Sequence, residues 1–183
     1  MLTLVLGGLS SGKSGFAVRL AQRSRGRVLF VATGLAADAE MEARIAAHRR
    51  ERPADWGLTE APTRLADAAK QAATYDVVLV DAVDTWLANR LEERGGADAA
   101  WGREQRAAVE AGCAEDLAAL RSRSRTLICV TSEVGMALVP PTSYGRVFAD
   151  LLGRCNQRLA RDADEAYLVV AGRPLPLPSD AGG

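Results

Sequence analysis

Residues Gly7-Gly8-Leu9-Ser10-Ser11-Gly12-Lys13-Ser14 fit the pattern G-x-x-x-x-G-K-[ST], between the apolar run Leu2–Leu6 and a helical pattern. A strand–loop–helix context of this kind is what phosphate cradling requires. The glycines permit backbone angles that aim several N–H groups at one anion, and the following helix adds the positive end of its dipole. Lys13 then reaches the β- and γ-phosphates of a nucleoside triphosphate, and Ser14 supplies a hydroxyl ligand for Mg²⁺. Lys13 and Lys70 are the chain's two lysines.

Two further residues fit that chemistry. Val77-Val78-Leu79-Val80 is an apolar strand that ends in Asp81. A carboxylate there faces the phosphates as the acidic partner of the metal, unless it only caps the next helix. His48 is the one histidine. It falls in the helical stretch Asp38–Glu51, with Met41 and Ile45 on its face, a pattern that also suits a packed core histidine. Arg44 and Arg52 flank it at four residues on either side and Arg49 adjoins it, which gathers cations where a phosphate chain could lie. The same charges favour the neutral imidazole, the form able to attack phosphorus and hold a nucleotidyl group.

The elements that must carry these residues alternate. Leu2–Leu6, Val28–Ala32, Val77–Val80, Leu127–Thr131 and Ala166–Val170 are short, near-continuous apolar runs, as in strands buried on both faces. Between them lie amphipathic stretches: Ser14–Arg23, Asp38–Glu51, Arg64–Thr74, Asp84–Arg94, Asp98–Arg123 and Thr142–Arg161. Trp101, Val109, Cys113, Leu117 and Leu120 form the expected buried stripe of the long one. The pattern predicts a single α/β domain over residues 1–178, a mostly parallel sheet with helices on both faces. Leu175–Pro178 alternates Leu with Pro and is at best an edge strand. Residues 179–183 read as a disordered tail.

The chain has 183 residues and carries 23 acidic against 23 basic side chains. Balanced charge gives no field for nucleic acid. No apolar run is long enough to span a membrane. Three cysteines, none in a CxxC unit, fit a reducing, cytoplasmic setting. The apolar N-terminus runs straight into glycines and reads as a strand, not a signal peptide.

Four stretches together resemble the bifunctional adenosylcobinamide kinase / adenosylcobinamide-phosphate guanylyltransferase family of cobalamin biosynthesis, from about Leu2 to Leu177. They are Gly7–Ala17; Ala32-Thr33-Gly34 with Asp38–Met41, Arg44-Ile45, His48, Arg52-Pro53, Trp56 and Thr59-Glu60; Val80-Asp81 with Thr85-Trp86-Leu87 and Asn89; and Glu133–Gly135, Val139-Pro140, Gly153-Arg154 and Asn156–Ala160. The resemblance implies a P-loop, RecA-like fold assembled as a homotrimer. It implies two reactions: phosphorylation of adenosylcobinamide by ATP or GTP, then transfer of GMP from GTP to the corrinoid phosphate through a guanylyl-histidine. His48 matches the guanylylated histidine. Gly7–Ser14, Ala32, Thr33, Gly34, Arg49, Arg50, Glu51, Arg52, Glu60 and Asp81 match the nucleotide-contacting segments. Glu60 could accept hydrogen bonds from the guanine edge, or be a solvated loop carboxylate. A P-loop kinase of another small metabolite, with a structural His48, is the competing reading.

This chain departs from the family pattern at Ala47, where relatives often carry a second histidine. It also departs in Asp81-Ala82-Val83-Asp84, where Asp-Cys-Leu-Thr is common, and at Ser132 of Ser132-Glu133-Val134-Gly135, where Asn is common. The long helix Asp98–Arg123 is a candidate for subunit packing or an ordinary cover for the sheet.

Overall fold

A computed structural model describes residues 1–24, 26–35 and 53–179. The stretch containing the expected helix Asp38–Glu51, with His48 and Arg49–Arg52, lies outside the described residues, as do residues 180–183 of the expected tail.

Seven strands form one sheet among the described residues: β1 Leu2–Gly7, β2 Val28–Ala32, β3 Gly57–Glu60, β4 Val77–Asp81, β5 Thr126–Ser132, β6 Glu165–Val170 and β7 Arg173–Leu177. Their spatial order is β3-β2-β4-β5-β1-β6-β7. All neighbours run parallel except β6 and β7, which form an antiparallel hairpin. Every residue of β1 is buried, because β1 is central and covered on both sides. Its side chains alternate between two cores. Val5 packs with Phe16, Ala17 and Ala21 of helix α1 (Lys13–Arg23), whereas Leu4 and Leu6 belong to the larger core on the opposite face.

That larger core is closed by α3 (Val83–Glu92), α4 (Arg103–Arg123) and α5 (Ser143–Asp162), with Trp86, Leu120 and Leu152 fully buried. Thr142 caps α5, its hydroxyl accepting the Gly145 N–H at 3.0 Å.

Three sequence expectations change. Arg64–Thr74 is not one helix but a 3₁₀ turn, Leu65–Ala68, followed by the single turn α2 (Ala69–Ala72). The Leu65 N–H is spent on the Asp116 carboxylate at 3.1 Å, which sets the entry to that turn. The long helix begins at Arg103, not Asp98. Gly102 holds extended backbone, and Trp101 turns back to donate its indole N–H to the Gly96 carbonyl at 2.7 Å. Trp101 therefore packs on the core from the preceding loop and is not part of the helical stripe. The edge strand begins at Arg173, with Val169 opposite Pro174 and Tyr167 opposite Pro176.

β3 was not expected. Its four residues alternate half-buried and exposed and contain one large apolar side chain, Leu58. It forms by pairing with β2, Leu29 opposite Gly57 through Ala32 opposite Glu60.

Candidate functional site

The carboxyl ends of β1 to β5 share one edge of the sheet, where open α/β sheets place ligands. The loop Gly7–Ser14 leaves β1 there. Gly12 has φ +89°, and a Cβ on it would meet the Gly172 Cα at 3.2 Å. A Cβ on Gly7 would fall 2.4 Å from the Ser11 hydroxyl and 2.9 Å from the Val169 carbonyl. A side chain at either position would be strained, so the two glycines set the path of the loop. α1 then begins at Lys13, with no acidic residue in its first turn to compete with an anion. The Lys13 ammonium lies 3.3 Å from the Gly8 carbonyl, folded over the loop it belongs to. The β6–β7 turn abuts the loop from outside, the Gly172 N–H donating to the Ser11 carbonyl at 2.8 Å.

β5 separates β1 from β4, yet the two chemical ends meet. Ser14, on α1, donates its hydroxyl to Asp81 Oδ1 at 3.0 Å. A hydroxyl and a carboxylate converge beside a phosphate loop, a hard-oxygen pair that suits Mg²⁺ held jointly with phosphate and water. No cluster of three or more His, Cys, Asp or Glu side chains arranged to hold a metal occurs among the described residues.

The segments on either side of Asp81 are held from behind. Thr33 is buried, and its hydroxyl donates to the Ala82 carbonyl and accepts the Ala82 N–H, both at 2.8 Å. Ala32 pairs with Asp81 on one side and Glu60 on the other. Asn89 of α3 donates its amide to the Thr33 carbonyl at 2.8 Å and to the Pro62 carbonyl at 2.9 Å, tying the exits of β2 and β3 together. Behind them, the Trp86 indole and the Arg90 guanidinium both donate to the Thr63 carbonyl at 3.1 Å. Arg90 also pairs with Asp116 at 2.7 Å. Burial pushes the Asp116 carboxyl above its ordinary range, and the Arg90 charge opposes that rise without cancelling it.

The fold thus brings Gly7–Ser14 against Asp81, and Ala32, Thr33, Gly34 and Glu60 onto the same edge. His48, Arg49, Arg50, Glu51 and Arg52 lie outside the described residues. Three supports were not legible as such in the sequence. Asn89 and Asn156 appeared only within longer stretches, and nothing marked them as clamps. Asn156 accepts the Thr131 hydroxyl at 2.9 Å and donates to the Ser132 carbonyl at 3.0 Å, fixing the end of β5. The third, the Gly172 contact, follows a turn in which Ala171 has φ +49°, an unusual angle for alanine that composition does not announce. The departures at Asp84 and Ser132 prove to touch, the Ser132 hydroxyl donating to Asp84 Oδ2.

Known proteins place this edge in context. The chain is similar over 91% of its length, at 13% identity and a TM-score of 0.52, to half of the solved structure of a prototypical ATPase from the type III secretion system of pathogenic bacteria, a likeness of fold alone. It is 38% identical over 176 residues to the bifunctional adenosylcobalamin biosynthesis protein CobU of Escherichia coli (strain K12), covering 94% of this chain and 97% of that one. It is 37% identical over 180 residues to the bifunctional adenosylcobalamin biosynthesis protein CobP of Pseudomonas aeruginosa, covering 97% of each. Residues 3–177 match the family model described as cobinamide kinase / cobinamide phosphate guanyltransferase. With a phosphate loop, a facing carboxylate and full-length likeness of this kind, the chain belongs to the cobinamide kinase / cobinamide phosphate guanyltransferase family.

Proposed function

We propose that the chain phosphorylates the aminopropanol hydroxyl of adenosylcobinamide with ATP or GTP, then transfers GMP from GTP to the resulting phosphate, giving adenosylcobinamide-GDP. The observation that carries this is the 3.0 Å contact between Ser14 and Asp81 beside the Gly7–Ser14 loop, in a chain of this family. Mg²⁺ bound there neutralises charge on the phosphates. Lys13 and the loop N–H groups hold the triphosphate in line for transfer, which is most of what phosphoryl transfer asks of a protein. Glu60 and Ala32–Gly34, on neighbouring strand ends, are suited to the nucleoside.

For the second reaction, a ring nitrogen of His48 forms a bond to the α-phosphorus of GTP as the bond to pyrophosphate breaks. The phosphate oxygen of the corrinoid then displaces the histidine. Arg49, Arg50 and Arg52 hold the phosphate chain, with Glu51 in the same segment. Assembly as a homotrimer in the cytoplasm completes the proposal. No helix among the described residues is long and apolar enough to cross a membrane.

The test is incubation with α-labelled GTP and Mg²⁺. Wild-type protein takes up acid-labile label, as a phosphoramidate should, and His48→Ala takes up none while still phosphorylating cobinamide. Turnover of both reactions without labelled protein would overturn the covalent step. Phosphorylation without any guanylyl transfer would reduce the chain to a kinase.

A further inference from the structure

Asp84 lies in the first turn of α3, three residues beyond Asp81. Ser132 ends β5, the strand between β1 and β4, and its Cα is paired with Gly7, the first residue of the phosphate loop. The Glu133 N–H donates to the Gly7 carbonyl at 3.2 Å, so the end of β5 is fastened to the loop entrance. By strand alternation Ser132 shares the face of Ile128 and Val130, the α1 face, as Asp81 shares that of Val77 and Leu79. Through its contact with the Ser132 hydroxyl, Asp84 reaches from α3 to the end of β5, beside the entrance of the loop.

The two Asp84 oxygens differ. Oδ2 accepts the Ser132 hydroxyl. Oδ1 is shielded from solvent and has no hydrogen-bond partner among the described residues. A buried carboxylate oxygen without a donor is costly and calls for a reason. The neighbouring carboxylates are committed: Asp81 accepts from Ser14 at 3.0 Å, and Glu133 accepts the Gly135 N–H at 2.6 Å. Among the described residues, Asp84 Oδ1 is the shielded carboxylate oxygen at this end of β5 that lacks a donor, and Ser132, itself clamped by Asn156, holds the group in orientation.

We propose that Asp84 is a further catalytic residue, whose Oδ1 accepts the proton of the acceptor alcohol during phosphoryl transfer. The inference rests on the kinase reading given above. The alcohol oxygen forms its bond to the γ-phosphorus as the β–γ bridging bond breaks. The bridging electron pair leaves on the nucleoside diphosphate, and the alcohol proton passes to Asp84. The carboxylate torsion is soft, so turning Oδ1 toward the hydroxyl asks for rotation of that group alone.

The experiment compares wild type with Asp84→Asn, Asp84→Glu and Ser132→Ala. Four quantities are read: melting temperature, affinity for a fluorescent GTP analogue, slow triphosphate hydrolysis without corrinoid (water replacing the alcohol), and phosphoryl transfer to cobinamide. Asp84→Asn should melt and bind nucleotide as wild type does, with hydrolysis and transfer lowered by about 10²–10³-fold in kcat and little change in KM. Asp84→Glu should recover at least about tenfold over Asp84→Asn, and Ser132→Ala should fall about tenfold, the base kept but less well oriented. If both rates of Asp84→Asn stay within about threefold of wild type, the proposal is overturned; general-base loss is expected to be larger. If Asp84→Asn fails to fold, Asp84→Glu and Ser132→Ala decide, since wild-type rates in both would also overturn it. Wild-type protein that hydrolyses triphosphate but leaves cobinamide untouched removes the acceptor reading, while the hydrolysis rates still decide the role of Asp84.

Discussion

Ser14 and Asp81 are 67 residues apart and follow or end strands, β1 and β4, that β5 separates, yet the hydroxyl and carboxylate sit 3.0 Å from each other. The contact crosses β5 because α1 lies on that face of the sheet, with Phe16, Ala17 and Ala21 packed on Val77, Leu79, Ile128 and Val130. Replacing Ser14 by Ala, or Asp81 by Asn, should leave the fold intact and raise the Mg²⁺ concentration needed for half-maximal activity at least about tenfold. Magnesium titrations of nucleotide turnover check it, and unchanged titration curves in both variants would remove this pair from the metal site.

Gly12→Ala meets two obstacles at once, the left-handed backbone and the Gly172 Cα at 3.2 Å. The expected cost is about 1–3 kcal/mol, concentrated in the loop. Thermal melts with and without GTP separate the effects: the apo protein should melt somewhat below wild type and gain little from added nucleotide.

Asn89 serves two backbone carbonyls at 2.8 and 2.9 Å. Asn89→Ala leaves both acceptors short of a donor, at about 1–3 kcal/mol each. Chemical denaturation should show that loss, and KM for nucleotide should rise more than kcat falls because the exits of β2 and β3 loosen together. A kcat effect with unchanged KM would contradict this role.

Arg90 and Asp116 are each about one-tenth exposed and 2.7 Å apart. Arg90→Ala strands a buried carboxylate, at about 3–5 kcal/mol. Asp116 already binds its proton more tightly folded than unfolded, because burial raises its pKa. A raised carboxyl favours the folded state at low pH and loses that favour as pH rises through the folded pKa. Without Arg90 the rise grows, so the variant's deficit should shrink when denaturation is repeated at pH 5 instead of pH 7.

Cys113, Cys129 and Cys155 are all buried, which pushes their thiols up to about 11, about 12 and about 12. Thiolates are the reactive form, so the native protein at pH 8 should resist a disulfide reagent, and unfolded protein should react at all three. Fast labelling of native protein would show that α4, α5 or β5, which carry these cysteines, opens. Each raised thiol also disfavours the folded state once the pH climbs past the ordinary cysteine value, so alkaline stability should fall from about pH 9 upward.

The sequence was most legible where burial is two-sided. β1, β2, β4 and β5 announced themselves as apolar runs because each is buried almost throughout inside the sheet, whereas β6 was legible from its apolar composition although most of it is only half-buried or exposed. β3 hid because it is short and at an edge, and its pairing with Leu29–Ala32 decides its conformation more than its own residues do. The start of the long helix was misplaced because the Trp101 hook to Gly96 is a tertiary contact, invisible to periodicity. At the site, the glycine–lysine–serine signature and Asp81 could be read from residue type and spacing, since phosphate chemistry dictates both. The clamps Thr33, Asn89 and Asn156 could not. An Asn or Thr in a helix or loop has no distinctive pattern until the carbonyl it serves is placed beside it.

The prolines of β7 reach beyond their own strand. In the β6–β7 ladder the two-residue turn Ala171-Gly172 makes Val170 and Arg173 a hydrogen-bonded pair, so Pro174 and Pro176 fall at the alternate positions that face outward. That rim of the sheet offers carbonyls but no donors. Another chain cannot extend the sheet there by backbone pairing, and anything that seats against this border must do so through side chains.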